Sequence, residues 1–244
     1  MVTGEVNTSV LGVVQFCNTF HGEFPLVGYS TTLIRFARCN LKCSFCDTVE
    51  IMSTTPRELT PSEILSAVEE THGLLITGGE PGMYSDEVYK VVSTVISSYI
   101  PVTHVDIETN GLFIDRIDKF VDFVKSLDYL NFLDLLRVTW SPKFLNPSEI
   151  EKNFRRVYRL NKSLFRESVF VKLVNDPSFG EANEQFINLL ERLYGRVYLS
   201  HVCVMPLTGV SPEDDRENVK KTLELCHRRS LNFSPRIHVV YEFA

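Results

Sequence analysis

The feature that most constrains this chain is a regular alternation of short apolar runs with amphipathic stretches. From Thr31 onward, "TTLIRFA", "GLLITGGE", "THVDIETNG", "LLRVTWSPK", "SVFVKLVND" and "RVYLSHVCVMP" read as strands. Between and after them, "TPSEILSAVEE", "SDEVYKVVSTVISSY", "LFIDRIDKFVDFVKSL", "PSEIEKNFRRVYRLN", "EANEQFINLLERLYG" and "PEDDRENVKKTLELCHRR" space their apolar residues as helices do. Thr60, followed three positions on by Glu63 and with Pro61 between, spells a capping box at a helix start. A last run, "RIHVVYEF", reads as a closing strand. The result is about six β-α units in series, and such alternation implies a parallel sheet, because parallel strands need a crossover helix. Six units rather than eight predict an α/β fold of the partial, open β/α barrel type. Without a linker or repeat, residues 1–244 read as one domain, with an N-terminal extension over 1–16 and a cysteine loop over 36–48.

Polar and glycine-rich signatures fall at the C-terminal ends of successive strands: the cysteine loop, "TGGE", "ETNG", "SPK" and "MPLTG". In barrel-like α/β folds the active site gathers at that edge, so the chain reads as an enzyme. A formal charge of -6 argues against direct nucleic-acid binding. No apolar run approaches the roughly 18–20 residues a membrane span needs, and "MVTGEVNTSV" is no signal peptide, which places the expected protein in the cytoplasm. Six cysteines would suit a disulfide framework only in an oxidising compartment. Cys203 and Cys226 sit in apolar contexts and read as small buried hydrophobes.

The remaining question is "RFARCNLKCSFCDT", Arg35–Thr48, with three cysteines, Cys39, Cys43 and Cys46, inside eight residues. Three thiolates can hold three irons of a cubane [4Fe–4S] cluster and leave the fourth iron open, which separates a reactive metal site from a structural one. A zinc site is the other reading; it needs a fourth ligand from afar, for which His21, His72, His104 or His201 are available.

With Phe45 before the last cysteine, the triplet resembles the signature of the radical S-adenosylmethionine (SAM) superfamily, and "TGGEP" (Thr77–Pro81) resembles that superfamily's "GGE" segment. The resemblance implies a cluster whose open iron binds SAM and cleaves it to a 5′-deoxyadenosyl radical, with the protein positioning the cofactor. Further residues resemble the 7-carboxy-7-deazaguanine synthase family: Thr48 after "CD", "TFHGEF" (Thr19–Phe24), Arg35 four residues before Cys39, "ETNG" (Glu108–Gly111) and "SPK" (Ser141–Lys143). Past Lys143 the likeness thins to "VKLV", "MP" and His238.

That family implies conversion of a small pterin, 6-carboxy-5,6,7,8-tetrahydropterin, to 7-carboxy-7-deazaguanine with loss of ammonia, SAM being regenerated. By resemblance, Cys39, Cys43 and Cys46 hold the cluster that cleaves SAM, and Thr48 contributes a hydroxyl to a Mg2+ that also holds the substrate carboxylate. Phe45, Cys46, Asp47, Gly78, Gly79, Glu80, Ser141, Pro142 and Lys143 are expected around SAM. Phe20, His21, Gly22, Glu23, Arg35 and Thr77 are expected around the pterin, Arg35 as a planar clamp. Glu108 reads as a group near ribose or substrate or as a buried structural carboxylate, and His238 as a late contributor or a structural histidine.

The pattern departs from the family at His21, where glutamine is usual, at Phe24, where glycine is usual, and in lacking a glutamine before His238. Phe24 either narrows the pocket or packs outward. Lys152, Arg155, Arg156 and Arg159 fall on one face of a predicted helix; the sharper reading of that stripe is a dock for a flavodoxin-like electron donor, the plainer one a solvated face. The family also suggests a homodimer. Two alternatives stay open: a radical SAM enzyme with another substrate, such as a glycyl-radical activating enzyme, and a zinc-binding structural or adaptor protein.

Overall fold

The structure, a computed structural model, describes residues 9–127, 132–159, 168–176, 179–209 and 211–241. Residues 1–8 of the expected extension, the end of the basic helix beyond Arg159 and the last three residues lie outside the described residues. The strands are β1 (Val10–Phe20), β2 (Ser30–Phe36), β3 (Arg57–Leu59), β4 (Gly73–Gly78), β5 (His104–Thr109), β6 (Leu136–Trp140), β7 (Val169–Asn175), β8 (Val202–Pro206) and β9 (Asn232–Phe233). Among the described residues they form one sheet in the order β3-β1-β2-β4-β5-β6-β7-β8-β9. From β2 to β9 every neighbouring pair is parallel, and β1 pairs antiparallel with β2 and β3. The order has two ends and does not close, as an open partial barrel requires. Residues 10–16, which the sequence assigns to an extension, are most of β1 and belong to this sheet.

The helices are α1 (Val49–Met52), α2 (Pro61–Thr71), α3 (Ser85–Ser97), α4 (Ile117–Ser126), α5 (Phe132–Leu135), α6 (Pro147–Arg159), α7 (Gly180–Tyr194), α8 (Pro212–Arg229) and α9 (Ile237–Val240). At the start of α2 the capping box is formed: the Thr60 hydroxyl accepts from the Glu63 N–H, and the Glu63 carboxylate accepts from the Thr60 N–H at 2.8 Å. A cap of this kind contributes about 1 kcal/mol. Ile64 and Val68, four apart, then lie on one face and are both fully buried.

The parallel strands split their residues by parity. Ile34 and Phe36, Leu74 and Ile76, Ile107, Val138 and Trp140, Val171 and Leu173, and Val202 and Val204 are completely buried in the core that the helices share. The alternate positions, Leu33 and Arg35, Leu75 and Thr77, Glu108, Lys172 and Val174, and Met205, line a cavity on the other side. Side chains of successive strand residues point to opposite faces, so one periodicity makes both the core and the site. Each fully buried aliphatic side chain contributes about 1.5–3 kcal/mol, which is what fixes the register.

Two strands read from the sequence are corrected. Of "RVYLSHVCVMP", only Val202–Pro206 is strand; Arg196–His201 is a 3₁₀ turn. Adjacent Tyr198 and Leu199 are both buried, which an alternating strand with one wet face does not allow, and the Tyr198 hydroxyl donates to the Val169 carbonyl at 3.0 Å. "RIHVVYEF" is likewise not a strand: the Arg236 carbonyl accepts from the Val239 and Val240 N–H groups and starts α9. Its β-branched composition favours a strand, but the sheet already ends at β9, and the segment turns back instead onto Gly22.

Candidate active site

A cavity of about 570 Å3 opens at the C-terminal edge of the parallel strands. It is lined by Cys39, Cys43, Phe45, Cys46, Asp47 and Thr48 from the loop after β2, by Thr77, Gly78 and Gly79 after β4, and by Ser141 and Lys143 after β6. Phe20, His21, Gly22, Glu23 and Arg35 line its other end. The residues expected from sequence are thus brought together, with two exceptions: Glu80 and Pro142 are buried outside the lining.

Glu80 has a different task. Its carboxylate is fully buried and accepts from the Gly82 N–H at 2.8 Å, the Thr109 hydroxyl at 2.6 Å and the Asn110 N–H at 2.7 Å. It fixes the "ETNG" turn, and Asn110 in turn donates to Asn40 at 2.8 Å and reaches Cys39 Sγ at 3.8 Å. The glycines before it serve the cysteine loop as well as the cavity. A Cβ on Gly79 would lie 2.2 Å from the Arg38 carbonyl oxygen, while Gly78 stands at φ +139° against Phe36. Gly79 N–H donates to the Phe36 carbonyl and Glu80 N–H to the Arg38 carbonyl, both at 2.8 Å, so "GGE" docks the loop that carries the thiols.

At the cysteine end, all six cysteines are free thiols, and Cys39, Cys43 and Cys46 face one space. Among the described residues the only trio of potential ligand atoms within 4.8 Å of one another is His21, Asp106 and Glu108. The three sulfurs therefore do not all lie within 4.8 Å of one another, whereas a tetrahedral zinc with ~2.3 Å bonds would hold them ~3.8 Å apart. Three thiols lining one cavity beside the glycine turn suit a cubane cluster with an open iron. Burial pushes the Cys39 and Cys43 thiols up, and Lys143 pulls both back toward the thiolate a metal needs. Lys143 is itself lowered by burial and by Lys172, donates to the Ser141 hydroxyl at 2.8 Å and stands 5.8 Å over the Phe45 ring. Thr48 lines the cavity and makes no capping bond to α1, so its hydroxyl is not committed to the backbone; it stands 3.5 Å from Cys46 Sγ.

The other end is a lattice of buried charges. Lys172, on β7, pairs with Glu23 and, at 2.9 Å, with Glu108, whose other oxygen accepts from the Thr77 hydroxyl at 3.1 Å. Burial alone would raise the Glu108 carboxyl, but the Lys172 ammonium outweighs it and holds the group below the usual range; the two carboxylates hold Lys172 charged in the same way. His21 Nε2 meets Asp106 at 2.9 Å, and Asp106 accepts from Thr139 at 2.9 and 3.1 Å. Burial works against a charged His21, yet Asp106 and Glu108 overcome it and raise the pKa. The other His21 nitrogen faces the Glu23 N–H at 3.4 Å, so the ring borders the cavity with both nitrogens turned to protein. Lys172 already occupies the position a cation would take beside Glu108, which makes the His21, Asp106 and Glu108 trio an ion-pair lattice rather than a metal site.

Arg35 Nε donates to Gln15 Oε1 at 2.8 Å, which aims its guanidinium from β2 along the cavity wall. Phe24 lies outside the lining and packs edge-on against Phe170 at 5.7 Å, the outward alternative. His238 lines the cavity, 3.8 Å from Glu23. The basic stripe is thinner than helical spacing implies, because Arg156 leaves it. Arg156 is 4% exposed and bonds Asp115 at 2.9 Å, while Arg155 pairs with Glu151 at 2.5 Å and Lys152 with Glu149 at 3.8 Å. Three of its four residues, Lys152, Arg155 and Arg159, are exposed, and the first two pair with carboxylates of their own helix.

Lys172, Asp106, Gln15 and Arg236 were missed by sequence reasoning. A lysine inside "VFVKLV" and carboxylates two apart inside "HVDIET" are charges in apolar strands, and that signal was there to be used. Arg236 offered none.

A family model of the radical SAM superfamily matches residues 33–193, from the cysteine loop's strand through α7. A 7-carboxy-7-deazaguanine synthase of Halobacterium salinarum is 33% identical over 94% of this chain and 89% of its own. Those of Hyperthermus butylicus and Aquifex aeolicus are 28% and 23% identical, covering 98% and 96% of this chain and 96% and 94% of theirs. The crystal structure of QueE from Escherichia coli superposes with a TM-score of 0.59 over 95% of this chain and 96% of its own at 17% identity, a likeness of fold. The chain belongs to the radical SAM superfamily and, within it, to the 7-carboxy-7-deazaguanine synthase family.

Proposed function

We propose that this protein converts 6-carboxy-5,6,7,8-tetrahydropterin to 7-carboxy-7-deazaguanine with loss of ammonia. The observation that carries the reading is the cavity itself: one end offers three open thiols, the other a lattice of buried charges, and both gather at one edge of the sheet. When bound, a [4Fe–4S] cluster and SAM supply the one-electron cleavage that permits hydrogen abstraction from carbon.

The chain's own residues do the rest. Cys39, Cys43 and Cys46 hold the cluster. Phe45, Asp47, Gly79, Ser141 and Lys143 surround SAM, with Lys143 fixed by Ser141 beside the aromatic ring. Arg35 clamps an anionic or carbonyl oxygen of the pterin, and Thr77 and Glu23 present a hydroxyl and a carboxylate to its polar edge. The Glu108–Lys172–Glu23 ion pairs hold those groups in place at a site shielded from water, where fixed charges act strongly. The Thr48 hydroxyl suits a Mg2+ that also binds the substrate carboxylate, since Mg2+ takes few protein ligands and keeps substrate or water oxygens. A flavodoxin-like donor and a homodimer complete the proposal, in the cytoplasm; among the described residues no helix is long and apolar enough to cross a membrane.

The test is anaerobic incubation of the reconstituted protein with 6-carboxytetrahydropterin, SAM, Mg2+ and a reductant. The expected result is 7-carboxy-7-deazaguanine and ammonia in equal amounts, with SAM not consumed. Uncoupled SAM cleavage without the deazaguanine would move the protein to another substrate, and a colourless protein carrying zinc would remove it from radical chemistry.

A further inference from the structure

The C-terminal segment crosses the mouth of the cavity and touches three separate parts of the chain. Ile237 N–H donates to the Gly22 carbonyl at 3.0 Å, and the Ser234 hydroxyl accepts from the Phe24 N–H at 3.0 Å. His238 packs so closely on Gly22 that a Cβ there would fall 1.9 Å from its Nδ1. Arg236 stands between these contacts, 8% exposed, and lines the cavity. Its guanidinium donates to the Asp47 carboxylate, next to Cys46, and at 2.8 Å to the Thr208 hydroxyl after β8. Its Nε, buried with no hydrogen-bond partner, points to Glu23 at 3.7 Å.

We propose that Arg236 is a positioning residue that ties the C-terminal segment to the cysteine loop, and that the loop's retention of its iron–sulfur cluster depends on this tie. The loop's inner flank is well fixed, with Gly79 and Glu80 bonding Phe36 and Arg38 and Asn110 bonding Asn40. On its outer flank Phe45 packs edge-on against Phe179 at 5.4 Å, but the residues after Cys46 have less to hold them. Cys46 is followed by half-exposed Asp47 and the four-residue α1, in which no residue is buried. Arg236 supplies the missing anchor on that side, and its planar fork suits the task because it can hold Asp47 and Thr208 at once. The same residue faces Glu23, so Asp47 beside Cys46 and the carboxylate at the charged end share one cation.

The inference rests on the radical SAM reading of the cysteine loop and not on the identity of the substrate. Its test is the rate at which anaerobically reconstituted holoenzyme loses its broad absorbance near ~400 nm in excess iron chelator. Arg236→Gln and Asp47→Asn should each speed the loss about fivefold, and the double variant should be no faster than either single one. Arg236→Lys, which keeps the charge and loses the fork, should fall between. Arg236→Gln decaying at the parental rate, or single effects that multiply in the double variant, would overturn the proposal. If Arg236→Gln does not accumulate, Asp47→Asn with Arg236→Lys makes the same comparison with the C-terminal segment undisturbed. A protein that shows this pattern yet forms no deazaguanine keeps the tie and ends the synthase reading; one that takes up no cluster ends both.

Discussion

The two ends of the cavity are built on opposite principles. The cysteine end is a loop. Its three reactive groups lie within eight residues, its thiols are half-buried, and its position is set by backbone bonds to the neighbouring "GGE" and "ETNG" turns. The charged end joins positions up to 149 residues apart, Glu23 in the loop after β1 and Lys172 on β7, with side chains nearly closed off from water. A site for a bound metal group needs reach and the freedom to accept its guest. A site that reads a small polar molecule needs charges that are already in place, and burial with mutual pairing achieves that.

The largest expected effect breaks the first end alone. Cys43→Ala should abolish cluster absorbance and SAM cleavage while leaving the fold, measured by Tm without the cluster, unchanged within about 2 °C. A brown, SAM-cleaving variant would refute the three-ligand assignment. The second breaks the other end: Lys172→Met strands two buried carboxylates and should cost about 3–5 kcal/mol, a fall in Tm of roughly 10 °C. The variant should still load a cluster when folded, so loss of loading at temperatures where it is folded would show that the two ends are not separable.

A smaller effect probes the joint between loop and sheet. Gly79→Ala should force Arg38 aside, at about 1–3 kcal/mol, and lower the iron bound per chain. Gly180→Ala, where a Cβ meets nothing within 4 Å, is the control and should load normally. The smallest concerns α6: Arg155→Glu should shift stability by no more than about 0.5 kcal/mol and leave flavodoxin-driven and dithionite-driven turnover in the same ratio. A selective loss with flavodoxin would return the basic stripe to consideration.

The contrast also explains what was legible. The parallel strands and their helices were readable because periodicity records burial, and the cysteine end because its residues are neighbours in sequence as well as in space. The charged end was half legible: Glu23 and Arg35 came through resemblance, whereas Lys172 and Asp106 stood as ions in apolar strands whose meaning emerges only when β5 and β7 flank β6. The resemblance of "GGE" sets Glu80 at the cofactor, yet in three dimensions its carboxylate buttresses the next turn. The closing segment misled because β-branched residues favour strands, while its conformation is decided by packing on Gly22. Arg156 was grouped with its neighbours by helical spacing, and its burial depends on Asp115, 41 positions earlier.

The tie between Arg236 and Asp47 spans 189 positions, and it has a consequence for biosynthesis. A ribosome adding about 5–20 residues per second would deliver the thiols roughly 10–40 s before the arginine that fastens their loop. For that interval the nascent loop is docked on one side and open on the other. On the proposed tie, a cluster delivered before Arg236 is made would meet a loop fastened on its inner flank alone.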